Sequence, residues 1–367
     1  MKKSPVTIKD IARELKVSPS TVSRALRNHP DISTATRKLV QDYAKAHHYQ
    51  PNELALSLRT KRSKTIGVII PEIANHFFAS ILSGIEEISE EEGFNVIVTQ
   101  SSEQYEKEVR NTKALISNRV SGILASLSKT TTDFDHYQEI IDNNIALVFF
   151  DRICTGILTD KVVVDDYKGA YAVTEYLIQT GCQRILFYAS LPHLEISKNR
   201  KNGYLDALRK NKIAVDDDLI RICDTHDDAI RVTPEYLKQA KRPDAIFAIN
   251  DQTAVGALYA IKQAGLKVPD DIQVFGFSNG PFALASDPTL STVEQHGFKM
   301  GQNAAKLLIS KIKGETHGQF TNIIIETKLV LRGTTKKNET LKLFPINPIK
   351  TVHQKSPWEF WGLPETI

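Results

Sequence analysis

The hydrophobic rhythm of the chain changes near residue 65. Before that point apolar residues recur at helical spacing in short blocks. After it, short unbroken apolar runs alternate with longer helical patterns. In the first block, Ile8, Ile11, Ala12 and Leu15 share one helix face. Thr7 opens that helix as a cap, and Asp10 three positions later completes a variant of the capping box. Val17-Ser18 breaks the pattern. Ser18 caps a second helix with Pro19 at its first position, where a missing N–H costs nothing. Val22, Ala25 and Leu26 form the inner stripe of this helix, and Ser20, Thr21, Ser23 and Arg24 its outer face. A third helix, capped by Ser33, turns Leu39, Val40, Tyr43 and Ala44 inward. Three short helices then close a small core, with Tyr43 and Tyr49 as its larger pieces. His47 and His48 are neighbours on a helix and face different directions, so they read as surface residues rather than a metal pair.

Beyond residue 65 the apolar runs are Ile66–Ile70, Asn95–Thr99, Gly122–Ala125, Ala146–Phe150, Val162–Val164, Ile185–Tyr188, Ala245–Ala248, Ile272–Phe275 and Ile323–Ile325. Helical patterns fall between most of them, at Phe77–Glu92, Ser102–Asn118, Tyr167–Gln179, Arg200–Lys210, Gln252–Ala264 and Lys299–Lys313. Near-continuous apolar strands alternating with helices predict α/β layers: parallel sheets with helices on both faces. About 270 residues exceed one comfortable core, so two lobes are expected. The organisation is a helix-turn-helix head at 1–50, a hinge helix and linker at 51–64, a two-lobed body at 65–333 and a tail at 334–367. Pro345, Pro348, Pro357 and Pro364 exclude a long helix in the tail, which is expected to be poorly ordered. Trp358, Phe360 and Trp361 are its candidates for docking on the body or a partner.

Charge sharpens this division. The whole chain carries +4, but residues 1–64 hold 14 Lys and Arg against 5 Asp and Glu, and the remainder is −5. A basic head on a mildly acidic body is what binding to phosphate requires. In a helix-turn-helix the N-terminal part of the second helix points at base edges. Arg24 suits a bidentate grip on guanine, and the short side chains at Pro19 and Ser20 allow close approach. Pro51 stops what precedes the hinge, and Asn52 can cap a helix from Glu53 to Leu58. That helix is too short to be stable alone. Either it orders against a partner, with an apolar side chain wedged into a minor groove, or the segment is a charged linker ending in Arg59, Lys61, Arg62 and Lys64.

Thr7-Ile-x-Asp-Ile-Ala, Val17-Ser18, Ser20-Thr-Val-Ser-Arg24, Leu26 and Tyr49-x-Pro-Asn-x-x-Ala-x-x-Leu58 form a long ordered signature. Through it, residues 5–64 resemble the head and hinge of the lactose-repressor (LacI/GalR) family of bacterial transcription regulators. The resemblance implies that Pro19, Ser20 and Arg24 read bases in the major groove. It implies that Leu58 enters the minor groove at the centre of a near-palindromic operator, and that Ala55 lets two hinge helices of a dimer approach. Leu56 departs from the Arg or Gln usual after that alanine: it either strengthens the apolar contact or is neutral. The expected DNA-contacting set is Thr7, Ser18, Pro19, Ser20, Thr21, Ser23, Arg24, Asn28, Ala55, Leu58 and Arg59.

The body is similar to a periplasmic sugar-binding protein, with two lobes, three crossovers and a small ligand between them. Open α/β sheets bind ligands at the C-terminal ends of their strands. The positions matching the family's ligand contacts are Phe78, Asp151, Arg200, Phe247, Asn250 and Ser278. Phe78 and Phe247 are expected to offer apolar ring faces, and Asp151, Arg200 and Asn250 charge-assisted or bidentate hydrogen bonds to hydroxyls. Ser278 stands where an aspartate is usual. Either a neighbour such as Asn279 compensates, or the ligand is an acidic sugar, a phosphorylated one or a disaccharide. Asp251 is a candidate cap for the helix Gln252–Ala264.

The resemblance implies a homodimer on double-stranded operator DNA, switched by a small effector that either releases DNA or is needed to hold it. No glycine-rich dinucleotide fingerprint, Walker loop or Gly-x-Ser-x-Gly elbow occurs, so no enzyme activity and no cofactor are expected. Cys154, Cys182 and Cys223 lack metal spacing and read as reduced cytosolic thiols. No signal peptide or membrane-length apolar stretch is present, which points to the cytoplasm and to no membrane partner. The rival readings are an exported solute receptor, which would lack salt-dependent DNA binding, and an architectural DNA-binding protein with a vestigial body.

Overall fold

The computed structural model describes residues 6–49, 63–315 and 320–337, and the backbone of 349–354. The chain forms two compact units that divide between Ser63 and Lys64. The expected hinge helix, with Ala55, Leu58 and Arg59, lies outside the described residues.

The first unit holds α1 (Ile8–Glu14), α2 (Pro19–Leu26) and α3 (Thr34–Ala46). Thr7 accepts from the Asp10 amide while the Asp10 carboxylate accepts from the Thr7 amide, which closes the capping box. Ser18 and Ser33 accept from the amides of Thr21 and Thr36. Ile11, Ala12, Val22, Ala25, Val40 and Ala44 form the core, with Tyr43 and Tyr49 packed against its edge. Leu39 does not join them, being 53% exposed. One helical step of about 100° separates it from Val40 and carries it to the outer face.

The second unit has two lobes. The chain begins in lobe 1 with β1 (Thr65–Ile70), α4 (His76–Glu91), β2 (Asn95–Gln100), α5 (Tyr105–Ser117), β3 (Gly122–Ala125), α6 (Asp135–Asp142), β4 (Ala146–Phe150) and β5 (Asp160–Val164). It crosses to lobe 2 for α7 (Asp166–Gln179), β6 (Ile185–Ala189), α8 (Glu195–Lys210), β7 (Ile220–Ile222), α9 (His226–Leu237), β8 (Ala245–Ala248), α10 (Asp251–Gln263), β9 (Gln273–Phe275), α11 (Pro281–Ala285) and β10 (Thr292–Glu294). It returns for α12 (Gly297–Lys313) and β11 (Phe320–Ile325), makes β12 (Lys328–Val330) beside β10, and ends in β13 (Ile349–Gln354).

Lobe 1 has the strand order β2-β1-β3-β4-β5-β11-β13, parallel except for β13; lobe 2 has the parallel order β7-β6-β8-β9. The central strands β1, β3, β4, β5, β6, β8 and β9 are buried on both faces because alternate residues enter different cores. Val148 and Phe150 pack under α4 and α12, whereas Leu147 and Phe149 pack with Tyr137 of α6. Two expectations are corrected. Helix α8 starts at Glu195, a turn and more ahead of Arg200, and the tail is not wholly irregular because β13 pairs with β11. The short strand β7 and the helix α9, with Pro234 inside it, were absent from the hydrophobic pattern.

Helices α4 and α12 touch through glycines. A Cβ on Gly301 would stand 2.0 Å from the Ile81 carbonyl oxygen, and one on Gly84 would stand 2.1 Å from that of Phe298. These are backbone contacts that no rotamer change relieves. Gly301→Ala should therefore destabilise the body by about 2–3 kcal/mol or more. Urea titration should show a lower midpoint, and an unchanged midpoint would refute the close packing.

Candidate functional site: a nucleic-acid face and an inter-lobe cleft

In the head, Pro19, Ser20 and Arg24 are exposed on α2, and Thr21 and Ser23 are half-buried. The hydroxyls form a local cluster: Ser18 Oγ lies 2.7 Å from Ser20 Oγ and 2.8 Å from Thr21 Oγ1. The cap thus fixes the rotamers at the helix start. Arg24 is 3.9 Å from the Asp31 carboxylate, a loose and solvated pairing that leaves its fork available. Asn28 is left-handed (φ 58°) just beyond α2, where it accepts from Gln41 at 2.8 Å. It ends the helix as a glycine often does. Thr7 is exposed, with its hydroxyl engaged in the α1 cap.

In the body, the two sheets meet at the C-terminal ends of their strands. The loops there carry the polar residues that the buried strands cannot. Asp151 follows β4 with a left-handed backbone (φ 57°) and is 5% exposed. Its amide donates to Val162 at 3.0 Å, but among the described residues no hydrogen bond reaches its carboxylate. Burial pushes its pKa up, against the attraction of Arg152 and of Arg200 from the other lobe.

Arg200 is 4% exposed. Its Nε donates to Asp166 Oδ1 at 2.8 Å, Nη2 lies 2.7 Å from the same oxygen, and Nη1 donates to the Ile249 carbonyl at 2.5 Å. Its guanidinium carbon stands 3.7 Å from the centre of the Phe277 ring. Its Nε and Nη1 are thus hydrogen-bonded and its charge is paired with Asp166. Asp166, the first residue of α7 after the crossover, was not singled out from the sequence. Burial raises its pKa to about 6 although Arg200 opposes the shift.

The remaining expected ligand residues divide. Asn250 caps α10, accepting from the Thr253 amide and donating to the Asp224 carbonyl, both at 2.9 Å. It therefore takes the cap role expected of Asp251. Asp251 is instead buried, accepting from the Gly280 amide at 2.8 Å and from the Thr292 hydroxyl at 2.5 Å. Ser278 bonds its own chain at the Phe277 carbonyl. Asn279 cannot compensate for it freely, since it donates to Glu294 at 2.6 Å and accepts from Arg332 at 2.7 Å. The two expected ring faces are corrected. Phe247 is 0% exposed and packs 5.1 Å from Phe187, centre to centre, in the core of lobe 2. Phe78 is 3% exposed in the core of lobe 1, with the Arg152 guanidinium 5.7 Å from its ring centre. A strand covered on both faces leaves no ring free, and α4 buries Phe78 as it packs on the sheet.

Other residues missed in the sequence join the loops. Glu103, left-handed at φ 57°, accepts from the Lys129 amide at 2.7 Å and from Arg152 Nη1 at 2.8 Å, tying the ends of β2, β3 and β4 together. Between lobes, Lys129 Nζ lies 3.0 Å from the Asp224 carboxylate, and His193 Nε2 is 2.7 Å from the Lys129 carbonyl oxygen. Ser190 also donates to Asp224, at 2.5 Å. None of these carries a local motif. Lys129 and Asp224 are 95 residues apart, and only the fold makes them neighbours. Gln295, at the crossover that follows β10, is 3% exposed, and its Nε2 has no partner among the described residues.

Among the described residues, no group of three or more His, Cys, Asp or Glu is placed to hold a metal ion, and no helix is long and apolar enough to cross a membrane. Cys154, Cys182 and Cys223 are buried free thiols; burial pushes Cys182 and Cys223 up to about 12.

A helix-turn-helix unit joined to a two-lobed sheet body with a polar cleft defines a ligand-responsive transcription regulator. Residues 7–52 match the model for bacterial regulatory proteins of the lacI family, and residues 174–335 match a periplasmic binding protein-like domain. The chain is 33% identical over 334 residues to the ribose operon repressor of Halalkalibacterium halodurans, covering 91% of this chain and 98% of that protein. Among solved structures, the lac repressor dimer bound to operator and the anti-inducer ONPF superposes with a TM-score of 0.79 at 27% identity, over 90% of this chain and 99% of that one. The complex of the transcriptional regulator CelR with cellobiose gives 0.69 at 28% identity, with the same coverage. The chain belongs to the lacI family of bacterial regulatory proteins: it is a sequence-specific DNA-binding regulator and not an enzyme.

Two outcomes follow. Arg24→Ala should cost about 1–3 kcal/mol at one operator base position and relax the preference there; uniform loss across sequences, measured by titrating a panel of single-base operator variants, would make Arg24 a phosphate contact instead. Asp166 has a raised pKa, so the folded chain holds its proton more tightly than the unfolded chain does. Its contribution to stability therefore rises as pH falls through about 6 toward the unfolded carboxyl value and is absent above that window. Relative to Asp166→Asn, the wild type should gain about 1 kcal/mol in urea unfolding between pH 7 and pH 5. Parallel pH profiles would show that Asp166 does not titrate in this window.

Proposed function

We propose that two copies of this chain grip the halves of a near-palindromic operator, and that a neutral polyhydroxylated effector between the lobes sets the strength of that grip in the cytoplasm of a bacterium. The DNA contacts are Pro19, Ser20, Thr21, Ser23 and Arg24 of α2, with Thr7, Ser18 and Asn28 fixing the two helix starts and the helix end. Ala55, Leu58 and Arg59 act in the hinge. The observation that carries the effector reading is the Asp151 carboxylate: buried, left-handed in backbone and without a hydrogen-bond partner among the described residues. A buried acceptor in that state calls for a donor, and sugar hydroxyls supply donors in a fixed pattern.

The same geometry favours a neutral ligand over an acidic or phosphorylated one. Each cation of the cleft already holds an acid: Arg200 holds Asp166, Arg152 holds Glu103, and Lys129 holds Asp224. The charge of Arg200 is balanced by Asp166. Moving the population from mostly bound to mostly released takes roughly 5.5 kcal/mol of differential affinity, which several hydrogen bonds in each of two subunits can supply.

Ribose and cellobiose, which the names of related proteins carry, are the first probes, with ribose 5-phosphate and glucose 6-phosphate as the anionic arm. Calorimetry on the full chain should show binding in the neutral arm. Asp151→Asn should weaken it by at least about tenfold, or 1.4 kcal/mol, while leaving operator affinity without sugar intact. Tighter binding of the phosphorylated sugars, or an undiminished response in Asp151→Asn, would overturn the effector reading.

A further inference from the structure

Residues 1–64 hold 5 acids against 14 bases, and one of those acids stands beside the arginine that faces DNA. Asp31 lies in the loop between α2 and α3. Its carboxylate is 3.9 Å from Arg24 Nη1, and its side chain is 63% exposed. Asp10, by contrast, is engaged in the α1 cap. The place of Asp31 is set by the framework of the head. Arg37 of α3 donates from Nη2 to the carbonyls of His29 and Ile32, at 3.2 Å and 3.1 Å. Gln41 of α3 donates to Asn28 at 2.8 Å, and the His29 amide donates to the Arg24 carbonyl at 3.0 Å, so the loop is tied to both helices. The Asp31 amide donates to His29 Nδ1 at 3.4 Å. An exposed carboxylate in this place is repelled by every phosphate that approaches, so its loss would strengthen binding to any duplex. Stability does not account for it either, because a solvated pair at that distance contributes little.

We propose that Asp31 is a specificity-determining residue: it disfavours contacts between Arg24 and phosphates and so reserves the arginine for a base. The inference rests on the reading of Arg24 as a base contact. Arginine presents its N–H groups in a rigid planar fork, and a guanine edge takes two of them, which leaves others for a carboxylate. On an operator guanine the side chain can therefore keep both partners. Without that guanine its alternative is a phosphate, whose negative charge must then stand close to that of Asp31. The carboxylate thus subtracts more from non-specific binding than from operator binding. Selectivity is a difference of affinities, and repulsion of the wrong partner raises it as surely as a new bond to the right one. The looseness of the Arg24–Asp31 pairing fits this role, because a tight ion pair would withhold the arginine from the base as well.

The test uses the full chain and two duplexes, one selected by the wild type from a random pool and one of scrambled sequence. Fluorescence anisotropy follows both through a salt series for the wild type, Asp31→Asn, Arg24→Ala and the double variant, with Asp31→Glu as the form that keeps the charge. Asp31→Asn should bind the scrambled duplex at least about threefold tighter, with a salt slope steeper by up to about 0.9, the equivalent of one further phosphate. The ratio of selected to scrambled affinity should fall by at least about threefold, whereas in the Arg24→Ala background the same substitution should leave the ratio unchanged. Asp31→Glu should keep the ratio near that of the wild type. An equal gain on both duplexes, with or without Arg24, would make Asp31 a bystander charge, and no gain on either would place it away from the DNA; each overturns the inference alone. Equal weakening of both duplexes by Arg24→Ala would overturn the base-contact reading, and the inference with it.

Discussion

A guanidinium almost wholly removed from water is the constraint on which the ligand face depends. Arg200 is held there by one carboxylate, one carbonyl and one aromatic face. Removing one partner of a buried ion pair leaves the other charge uncompensated, at a typical cost of about 3–5 kcal/mol. Asp166 and Arg200 therefore stand or fall together. The pair also links elements far apart in sequence: Asp166 opens α7 at the first crossover, Arg200 lies on α8, and Ile249 ends the run that begins with β8. These three contacts fix the orientation of the guanidinium.

The rest of the cleft follows from how parallel sheets bury themselves. Their strands admit almost no polar side chain, so polar groups emerge at the strand ends, where backbone turns into loop. Asp151, Glu103, Ser278 and Asn279 all take positive φ in such loops. Their side chains are aimed by backbone geometry that few residues adopt willingly. Glu103 then ties three loops of lobe 1 into one rigid rim, and Lys129 carries that rim to Asp224 in lobe 2. The head uses the same economy on a smaller scale. Hydroxyls that cap α1 and α2 stand where DNA contacts are expected, so the same atoms shape the helix starts and the recognition surface.

Much of this architecture was legible in the sequence. The apolar runs located the central strands to within a few residues, and the caps at Thr7, Ser18 and Ser33 marked the head. What escaped lacked a local signal. The strand Ile220–Ile222 is three residues long and half exposed, α9 contains a proline, and β13 sits among prolines that argued against structure. At the cleft, residue identity was readable but side-chain direction was not. Phe78 and Phe247 stand at plausible places, yet each turns into a core: Phe247 lies on a strand covered on both faces, and Phe78 on the face of α4 that packs on the sheet. The Asn250–Asp251 pair shows the same limit, since adjacent polar residues at a helix start exchange the capping role with a small shift in register. Asp166 and Asp224 became visible only through partners tens of residues away.

The direction of β13 has one further consequence. Running opposite to its neighbours, it ends at the side of the sheet where Phe320 and Thr65 begin their strands. Gln354 and Thr65 are thus five strand spacings apart on the same side, roughly 24 Å. The chain therefore leaves β13 at the end of the sheet where β1 begins, opposite the strand ends that carry Glu103 and Asp151.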